Sequence, residues 1–527
     1  MDENRIRPLW AIVLVMAGVL IGLYINKGVG RRQVKVDAVS KFDEVMWYVG
    51  NDYVDAPDEA RLQDDAIAAL MASLDPHSAY VSLEEFNALN DPLLGSFDGI
   101  GVQFRMEKDT IAIVNVIKGG PSEKVGIMAG DRILYVDDSL AASKGLSNDE
   151  VMRKLKGPKG SKVRVRVLRR GVHGLLDFTI TRDAIPTYSV DIAYMLDDTI
   201  GYLKLSKFSA TTIDEFKKSI RDLQDQGMKK LIFDLRGNTG GYLNAAVEIA
   251  DAFLPRGSMI VYTEGRNRPR QDMKARRRGM LEDIPVAVLI DGESASASEI
   301  VAGALQDNDR GTIIGRRSFG KGLVQEQIML SDQSAIRLTV ARYHTPTGRS
   351  IQKPYGSDHE EYLLESYERY ENGELFSEDS IHFADSLKYT TPKGKTVYGG
   401  GGIMPDIYVP LVNDSTEYYF NRIVNTGLLY QYAFDYTDRH RPRLRQYRSV
   451  DDFSHSFQIS DSMFAELVRL ADEKGVKGTE EQRRVARREA GILLKAYIAR
   501  NLFDDEGFYP LYAPMDEVLQ RAIEELR

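Results

Sequence analysis

Cysteine is absent from this 527-residue chain. Without cysteine there can be no disulfide framework, no thiolate nucleophile, no iron–sulfur cluster and no zinc site with sulfur ligands. Histidine is scarce as well, since only seven His residues are available for metal binding or acid–base chemistry. The absence of cysteine does not identify the redox compartment, because a protein of an oxidising compartment can also lack it.

An excess of positive charge is also lacking. Lys and Arg number 69 against 78 Asp and Glu, which gives a formal net charge of −9. Nucleic-acid affinity depends chiefly on clustered cations, so this balance argues against a general nucleic-acid binder. One basic run lies between Gly265 and Gly279, but it has no interleaved aromatic residues, and we interpret it as a solvated loop near a cleft. We therefore expect no nucleic-acid partner.

The chain does contain one long uncharged run close to its first residue. The seventeen residues from Leu9 to Ile25 carry no charge, and a helix of that length would reach roughly 26 Å. Arg and Lys flank the run on both sides, so charge does not indicate its orientation. No small-residue cleavage site follows Ile25, which favours a retained membrane anchor over a cleaved signal peptide. We predict such an anchor or signal segment over residues 1–34.

The remainder of the chain changes pattern several times. Alternating apolar residues predict short strands between about Gly95 and Arg182, whereas strands and helices alternate after Tyr188, which is typical of an α/β core around a largely parallel sheet. The predicted regions are a helical module at 35–94, a β-rich module at 95–184, an α/β core at 185–412 with an insertion at 355–397, and a helical extension at 413–527.

The densest candidate for chemistry is the run DGESASASE, from Asp291 to Glu299. It lies between a predicted buried strand and an apolar helix, where a serine would be exposed at the sheet edge. The first N–H groups of that helix could stabilise a developing oxyanion. On this segment alone an ordinary helix N-cap is the better interpretation, because three serines compete and the run is not GxSxG.

A second candidate, SFGKGLVQ, runs from Ser318 to Gln325. Lys321 lies between two glycines in an apolar stretch, where burial could lower its pKa enough for it to act as a general base. Gln325 could hold the lysine amine in position. Taken alone, Gly-Lys-Gly is more often a phosphate contact or a solvated turn, although the absence of GxxxxGK[ST] excludes a P-loop.

Together the two runs resemble motifs of the carboxyl-terminal processing peptidases, or tail-specific proteases. The resemblance covers roughly residues 37–412 and includes the separation of 25 residues between Ser296 and Lys321. It implies that Ser296 is the nucleophile, Lys321 the general base and Gln325 its orienting partner. It also implies an α/β catalytic core like that of the Clp protease and crotonase, with no cofactor and no metal. One departure is Asp291, where relatives commonly have Asn.

The resemblance extends to DLRGNTGG, which begins at Asp234. In the family a glycine of this motif forms the oxyanion hole together with the N–H group after the nucleophile. The resemblance therefore implies oxyanion donors at Ala297 and at Gly240 or Gly241, without a choice between the two glycines. We interpret Asp234 and its neighbouring arginine as a structural ion pair that holds the loop.

The β-rich module resembles a PDZ domain. Gly99, Ile100, Gly101 and Val102 would form its carboxylate-binding loop, whose N–H groups hold a peptide C-terminus while the adjoining strand pairs with the peptide. A simple hairpin turn would also use G-x-G, but the nearby GPSEKVGIMAGDRIL favours the PDZ interpretation. Such a loop favours protein or peptide substrates with free, apolar C-termini.

The sequence thus predicts a membrane-tethered serine endopeptidase that binds a C-terminal tail and cleaves upstream of it. The family resemblance implies a single-pass membrane protein with an extracytoplasmic, periplasmic catalytic part, or a periplasmic protein if the N-terminal segment is cleaved. The alternatives are a non-catalytic, membrane-anchored PDZ scaffold and a cytosolic peptidase. The helical extension could mediate homo-oligomer formation, bind an adaptor or cover the cleft.

Overall fold

The computed structural model describes residues 41–107, 109–356, 359–412 and 418–527. The described residues up to Leu70, 41–70, belong to one unit, and the described residues from Met71 onward form a second, compact unit. Within the described residues no helix has both the length and the apolar character needed to cross a bilayer. The predicted anchor from Leu9 to Ile25 lies outside the described residues.

Two helices, α1 (Lys41–Asp52) and α2 (Glu59–Ala72), open the described chain. They are followed by β1 (Ala79–Val81) and α3 (Leu83–Leu94). Ser82 begins α3 with a reciprocal capping box, and Gly95 ends it in the left-handed conformation that glycine adopts without strain.

A β-rich module follows α3 and is built around an antiparallel sheet with the strand order β3-β4-β5-β7-β8. Its apolar core lies between this sheet and α5, whose side chains Val151 and Leu155 are buried. Among the described strands, β3 pairs with β4 alone and therefore forms an edge of the sheet. The elements are β2 (Ser96–Gly99), β3 (Val102–Glu107), β4 (Thr110–Val116), α4 (Pro121–Lys124), β5 (Arg132–Val136), β6 (Ser139–Leu140), α5 (Asn148–Leu155), β7 (Lys162–Leu168), β8 (Leu175–Thr181) and β9 (Asp183–Pro186).

The core contains a six-stranded sheet with the order β10-β11-β12-β15-β16-β21, in which only the β10–β11 pair is antiparallel. Both faces are covered, which explains the continuous apolar run of β12: Phe233 packs on one face and Ile232 on the other. This confirms the predicted α/β core. The elements are β10 (Val190–Met195), β11 (Ile200–Leu205), α6 (Thr212–Asp225), β12 (Lys230–Asp234), α7 (Leu243–Asp251), β15 (Val286–Ile290), α8 (Ala297–Asp307), β16 (Thr312–Gly315) and β21 (Ile407–Tyr408).

A second sheet has the order β1-β18-β13-β14, and β17 also pairs with β18. Residues 268–274 of the basic run form the edge strand β14, which pairs with β13, so the prediction of a loop was wrong there; residues 268–272 are exposed. The 355–397 segment contains a helix and a small hairpin. The elements are β13 (Met259–Gly265), β14 (Arg268–Lys274), β17 (Leu323–Met329), β18 (Ala335–His344), α9 (His359–Glu371), β19 (Lys388–Thr390) and β20 (Thr396–Tyr398).

The last part of the chain is helical and has its own apolar core. Its longest helix, α14, contains non-helical backbone at Phe503 and Asp504, so it consists of two helical pieces joined at a kink. The elements are α10 (Tyr418–Asn425), α11 (Leu428–Leu444), α12 (Val450–Ser456), α13 (Asp461–Glu473), α14 (Glu480–Tyr512) and α15 (Glu517–Leu526).

Candidate active site

Ser296 lies in the turn between β15 and α8, immediately before the first residue of the helix. Its backbone has φ 54° and ψ −110°, a conformation that is strained for a residue with a side chain. Strain of this kind at a strand-to-helix turn is typical of a nucleophile presented to substrate. The turn is the same one that the DGESASASE run predicts.

The two flanking serines are buried and hold this turn in place. Ser294 Oγ donates to the carbonyl of Leu235 at 2.9 Å, and Ser298 Oγ donates to the carbonyl of Asn238 at 2.8 Å. Both bonds join the turn to the loop after β12. Ser294 and Ser298 therefore act in the structure as turn and cap residues, and Ser296 is the serine of the three whose side chain lines a cleft.

Lys321 lines the same cleft, and its Nζ donates to Gln325 Oε1 at 3.0 Å. The Gln325 Nε2 donates in turn to the carbonyl oxygen of His77, which orients the amide. Burial lowers the pKa of Lys321, and the positive charge of Arg337 lowers it further. A lysine of lowered pKa is more often neutral, as a general base must be.

Ser296 and Lys321 are brought to one cleft but not into direct contact. Among the residues that the structure describes, no hydrogen bond joins Ser296 Oγ to Lys321 Nζ. Catalytic hydrogen bonds are often long in the absence of substrate and shorten only in the substrate complex. The cleft has a volume of about 1100 Å³, and α3 contributes Leu89 and Leu93 to its wall. It is large enough to hold several residues of an extended peptide.

Glu299 is the last residue of the DGESASASE run, and the structure gives it a role that the motif alone does not indicate. Its side chain is fully buried and accepts hydrogen bonds from the N–H groups of Ser296 at 2.8 Å, Gly320 at 2.7 Å and Lys321 at 2.9 Å. It also accepts a bond from Ser318 Oγ at 2.5 Å. One carboxylate therefore ties the backbone of Ser296 to the backbone of Lys321.

Burial raises the pKa of Glu299 to about 7, against the opposing effect of these hydrogen bonds. Its spacing from Ser296 resembles a helix capping box, which was the available sequence signal. That signal could not show that residues near position 320 share the same carboxylate.

Tyr343 provides a further link between the two segments. Its buried hydroxyl lies 2.5 Å from the Lys321 carbonyl oxygen and 3.1 Å from the Ser296 carbonyl oxygen. A hydroxyl has one hydrogen to donate, so it serves one carbonyl at a time. Nothing in the spacing of Tyr343 along the sequence indicates this contact.

The candidate oxyanion donors differ in their availability. The Gly240 N–H donates to Asn238 Oδ1 at 2.9 Å, so it is already engaged. Within the described part of the chain, the N–H groups of Gly241 and Ala297 make no hydrogen bond. Gly240 packs closely on the turn, since a Cβ there would lie 2.9 Å from Ser296 Cβ. The geometry thus favours Gly241 over Gly240 as the partner of Ala297.

The loop after β12 is held by a network of charges. Asp234 is fully buried and pairs with Arg236 at 2.6 Å. Although burial disfavours its charged form, Arg236 and Lys204 outweigh burial and keep the pKa of Asp234 well below its usual range. Asp291, the departure from the family pattern, accepts from the Gly237 N–H at 3.1 Å and thereby joins the two loops.

The predicted carboxylate-binding loop lies between β2 and the edge strand β3. Ile100 is buried, and its carbonyl accepts from the N–H and hydroxyl of Ser122. Gly101 has φ +75°, which favours glycine. Among the described residues, the N–H groups of Ile100 and Gly101 have no hydrogen-bond partner. Val102 begins β3, so an incoming peptide could pair with its free edge.

Comparisons with known proteins agree with this combination of a serine site and a peptide-binding module. A model of peptidase family S41 matches residues 199–360, and a PDZ-domain model matches residues 99–180. A family of unknown function (DUF8443) matches residues 419–504. The fold and site therefore define a PDZ-containing serine peptidase.

The carboxy-terminal-processing protease of Bartonella bacilliformis is 40% identical over 319 residues, which cover 60% of this chain and 72% of the relative. The carboxy-terminal processing protease CtpA of Bacillus subtilis is 35% identical over 358 residues, covering 66% and 76%. The solved photosystem II D1 C-terminal processing protease is 27% identical, with 73% of this chain and 89% of that chain covered and a TM-score of 0.37. This chain belongs to the carboxy-terminal processing proteases of peptidase family S41.

Proposed function

We propose that this protein is a tail-specific endopeptidase in which Ser296 is the nucleophile, Lys321 the general base and Gln325 the group that orients the base. The observation that carries the proposal is the joint position of the three side chains: Ser296 and Lys321 line one cleft, and Gln325 holds the lysine amine. The presence of all three side chains also favours an enzyme over a non-catalytic PDZ scaffold.

In the proposed mechanism, neutral Lys321 takes the proton from Ser296 Oγ as the oxygen attacks the scissile carbonyl. The N–H groups of Ala297 and Gly241 stabilise the tetrahedral oxyanion, since both are without a partner among the described residues. Lys321 then protonates the leaving amine, and water, deprotonated by the same lysine, hydrolyses the acyl-enzyme. No step requires a cofactor.

The proposed substrates are proteins or peptides with free, apolar C-termini. The loop from Gly99 to Val102 supports this, because the free N–H groups of Ile100 and Gly101 suit a terminal carboxylate. The core of the adjoining module is apolar on the side of α5, which suits an apolar last side chain. A tail bound there would deliver an upstream segment to the cleft.

The test uses one reporter protein with three tails: an apolar tail with a free carboxylate, the same tail amidated, and a tail ending in Asp. We expect the wild type to cleave the first fastest and the Ser296→Ala and Lys321→Ala variants to cleave none measurably. Equal, slow loss of the reporter in wild type and variants would refute the enzyme proposal. Equal cleavage of all three tails would refute the proposed recognition of the tail but leave the proposed peptidase activity intact.

We further propose that the catalytic part is tethered to the extracytoplasmic face of a membrane. The uncharged run from Leu9 to Ile25 and the family resemblance support this location. The full chain should sediment with membranes, and deletion of residues 1–34 should release it. Added protease should degrade the catalytic part in spheroplasts without lysis. A full chain that stays soluble, or that only lysis exposes to protease, would contradict the proposal. Oligomer or adaptor binding by the helical extension stays a prediction.

A further inference from the structure

The final segment of the chain packs on the catalytic sheet. The buried side chains of α15, which include Val518, Leu519 and Ala522, contact the face of the sheet that carries Tyr202 and Ile232. Asp516 precedes this helix as its N-cap and accepts from the Leu519 N–H at 3.0 Å. The helical extension therefore covers one face of the core and ends beside the strands that carry the catalytic loops.

Asp516 also makes a bidentate contact with Arg236, the arginine of the DLRGNTGG loop. Arg236 Nη1 donates to Asp516 Oδ1 at 2.8 Å, and Arg236 Nη2 donates to Asp516 Oδ2 at 2.7 Å. The side chain of Asp516 is 9% exposed and that of Arg236 17%, so the pair is largely removed from water. Planar, two-bond pairing of this kind is both strong and directional.

The charges around Arg236 balance only when Asp516 is included. Two cations, Arg236 and Lys204, face two carboxylates, Asp234 and Asp516. Removal of Asp516 would leave two buried cations against one carboxylate, and an uncompensated buried charge is costly. The Arg236 guanidinium would then have to reorient toward Asp234 or toward water.

The loop that contains Arg236 also builds the site. Asn238 accepts from the Ala295 N–H through its carbonyl at 3.0 Å and from the Gly240 N–H through its Oδ1 at 2.9 Å. The same backbone continues to Gly241, the proposed oxyanion donor. A shift at Arg236 would be transmitted over two residues to Asn238 and thus to the oxyanion hole.

We propose that Asp516 is a positioning residue for the oxyanion hole, contributed by the C-terminal extension through its ion pair with Arg236. This inference rests on the proposed function of Ser296 and Gly241. It assigns to the extension a role in catalysis, from a residue that lies outside the matched ranges 199–360 and 419–504.

The test compares Asp516→Asn, Asp516→Glu and the control Glu517→Gln in the full chain. Asn keeps the helix N-cap but removes the charge, whereas Glu keeps the charge. Glu517 is the exposed neighbour of Asp516. We expect Asp516→Asn to lower kcat for the apolar-tail reporter at least tenfold with KM changed less than twofold. Asp516→Glu should recover most of the rate, and Glu517→Gln should match the wild type.

A second readout is the affinity of a peptide aldehyde, which forms an oxyanion on the serine. Its affinity for Asp516→Asn should fall in proportion to kcat, which a general loss of folded protein would not produce. Wild-type kcat in Asp516→Asn, or a kcat loss with unchanged aldehyde affinity, would overturn the inference while leaving the proposed function intact. Full activity of Ser296→Ala in the same series would overturn both.

Discussion

The catalytic turn and the contact between β3 and α11 are both rich in buried polar groups, but they are satisfied very differently. At the catalytic turn, Glu299 accepts hydrogen bonds from four donors in two segments of the chain. At the second contact, two buried nitrogens of Arg105 and a buried oxygen of Glu107 have no hydrogen-bond partner among the described residues, although Arg105 Nη2 and Glu107 Oε2 form an ion pair at 3.3 Å.

The β3–α11 contact relies on less directional interactions. The Arg105 guanidinium lies 3.9 Å from the centre of the Phe434 ring and 3.8 Å from Asp435 Oδ1. Burial, followed by the neighbouring Glu107 carboxylate, raises the pKa of Asp435. The difference teaches that directional hydrogen bonds hold the turn at Ser296 in one geometry, whereas ion pairs and a cation–π contact, which are less directional, join β3 to α11.

The largest expected effect on activity comes from Lys321→Met, at the site where the buried polar groups are hydrogen-bonded. Removal of the base should lower kcat by about 10³-fold or more. The folded protein should nevertheless become more resistant to urea, because a buried amine of lowered pKa is replaced by an apolar chain of similar length. Initial rates and urea unfolding measure the two effects. A Lys321→Met protein that is both inactive and less stable would show that Lys321 supports the turn rather than only the chemistry.

Glu299→Ala is expected to be nearly as severe in activity and worse for stability. The variant leaves four donors without their acceptor in a dry environment, which should lower the free energy of unfolding by about 3 kcal/mol or more. Loss of the tie between Ser296 and Lys321 should reduce kcat about 100-fold. Glu85→Ala, which removes the exposed carboxylate that accepts from the Ser82 N–H and hydroxyl in the capping box of α3, is the matched control. If Glu299→Ala loses no more stability than Glu85→Ala, the hydrogen bonds of Glu299 do not distinguish this turn from the β3–α11 contact.

The raised pKa of Glu299 makes a separate prediction about pH. Because the pKa of Glu299 in the folded protein, about 7, exceeds the ordinary glutamate pKa of about 4.5, folding favours the protonated acid. The stabilisation is complete below about pH 4.5 and is lost as the pH rises through about 7. Relative to Glu299→Gln, the wild type should therefore lose up to about 3 kcal/mol of stability between pH 4.5 and 8. Urea unfolding of both proteins at these two pH values measures how their difference in free energy of unfolding changes with pH. A wild-type stability, relative to Glu299→Gln, that stays constant or grows between pH 4.5 and 8 would contradict the prediction.

The smallest effect is expected at the loosely satisfied contact. Arg105→Ala removes a cation–π contact and two ion pairs, but Arg132 still faces Glu107, so the free energy of unfolding should fall by only about 1 kcal/mol. Hydrogen exchange of β3 and α11 should rise locally without a change at the catalytic turn. A destabilisation as large as that of Glu299→Ala would remove the distinction between the two regions.

Much of the candidate active site could be predicted from the sequence, because its residues lie in short motifs. Ser296, Lys321 and Gln325 lie in two runs whose spacing is diagnostic of the family, and the structure places all three at one cleft. The parallel sheet could be predicted for a similar reason, since apolar runs such as that of β12 report burial on both faces.

The rest depends on contacts between distant parts of the chain. The choice between Gly240 and Gly241 required the position of the Asn238 side chain, and the role of Glu299 required knowledge of where the loop around Gly320 lies. Asp516 is separated from Arg236 by most of the catalytic core and the helical extension. No periodicity or local spacing reports an ion pair formed over such a distance.

The central claim is that Ser296 is the nucleophile, activated by Lys321. The most direct measurement is covalent labelling of the full chain with a fluorophosphonate, followed by peptide mapping in a mass spectrometer. We predict one label per chain, on Ser296, with labelling abolished in Ser296→Ala and strongly reduced in Lys321→Met. A label on Ser294 or Ser298, or undiminished labelling of Ser296→Ala, would contradict the account.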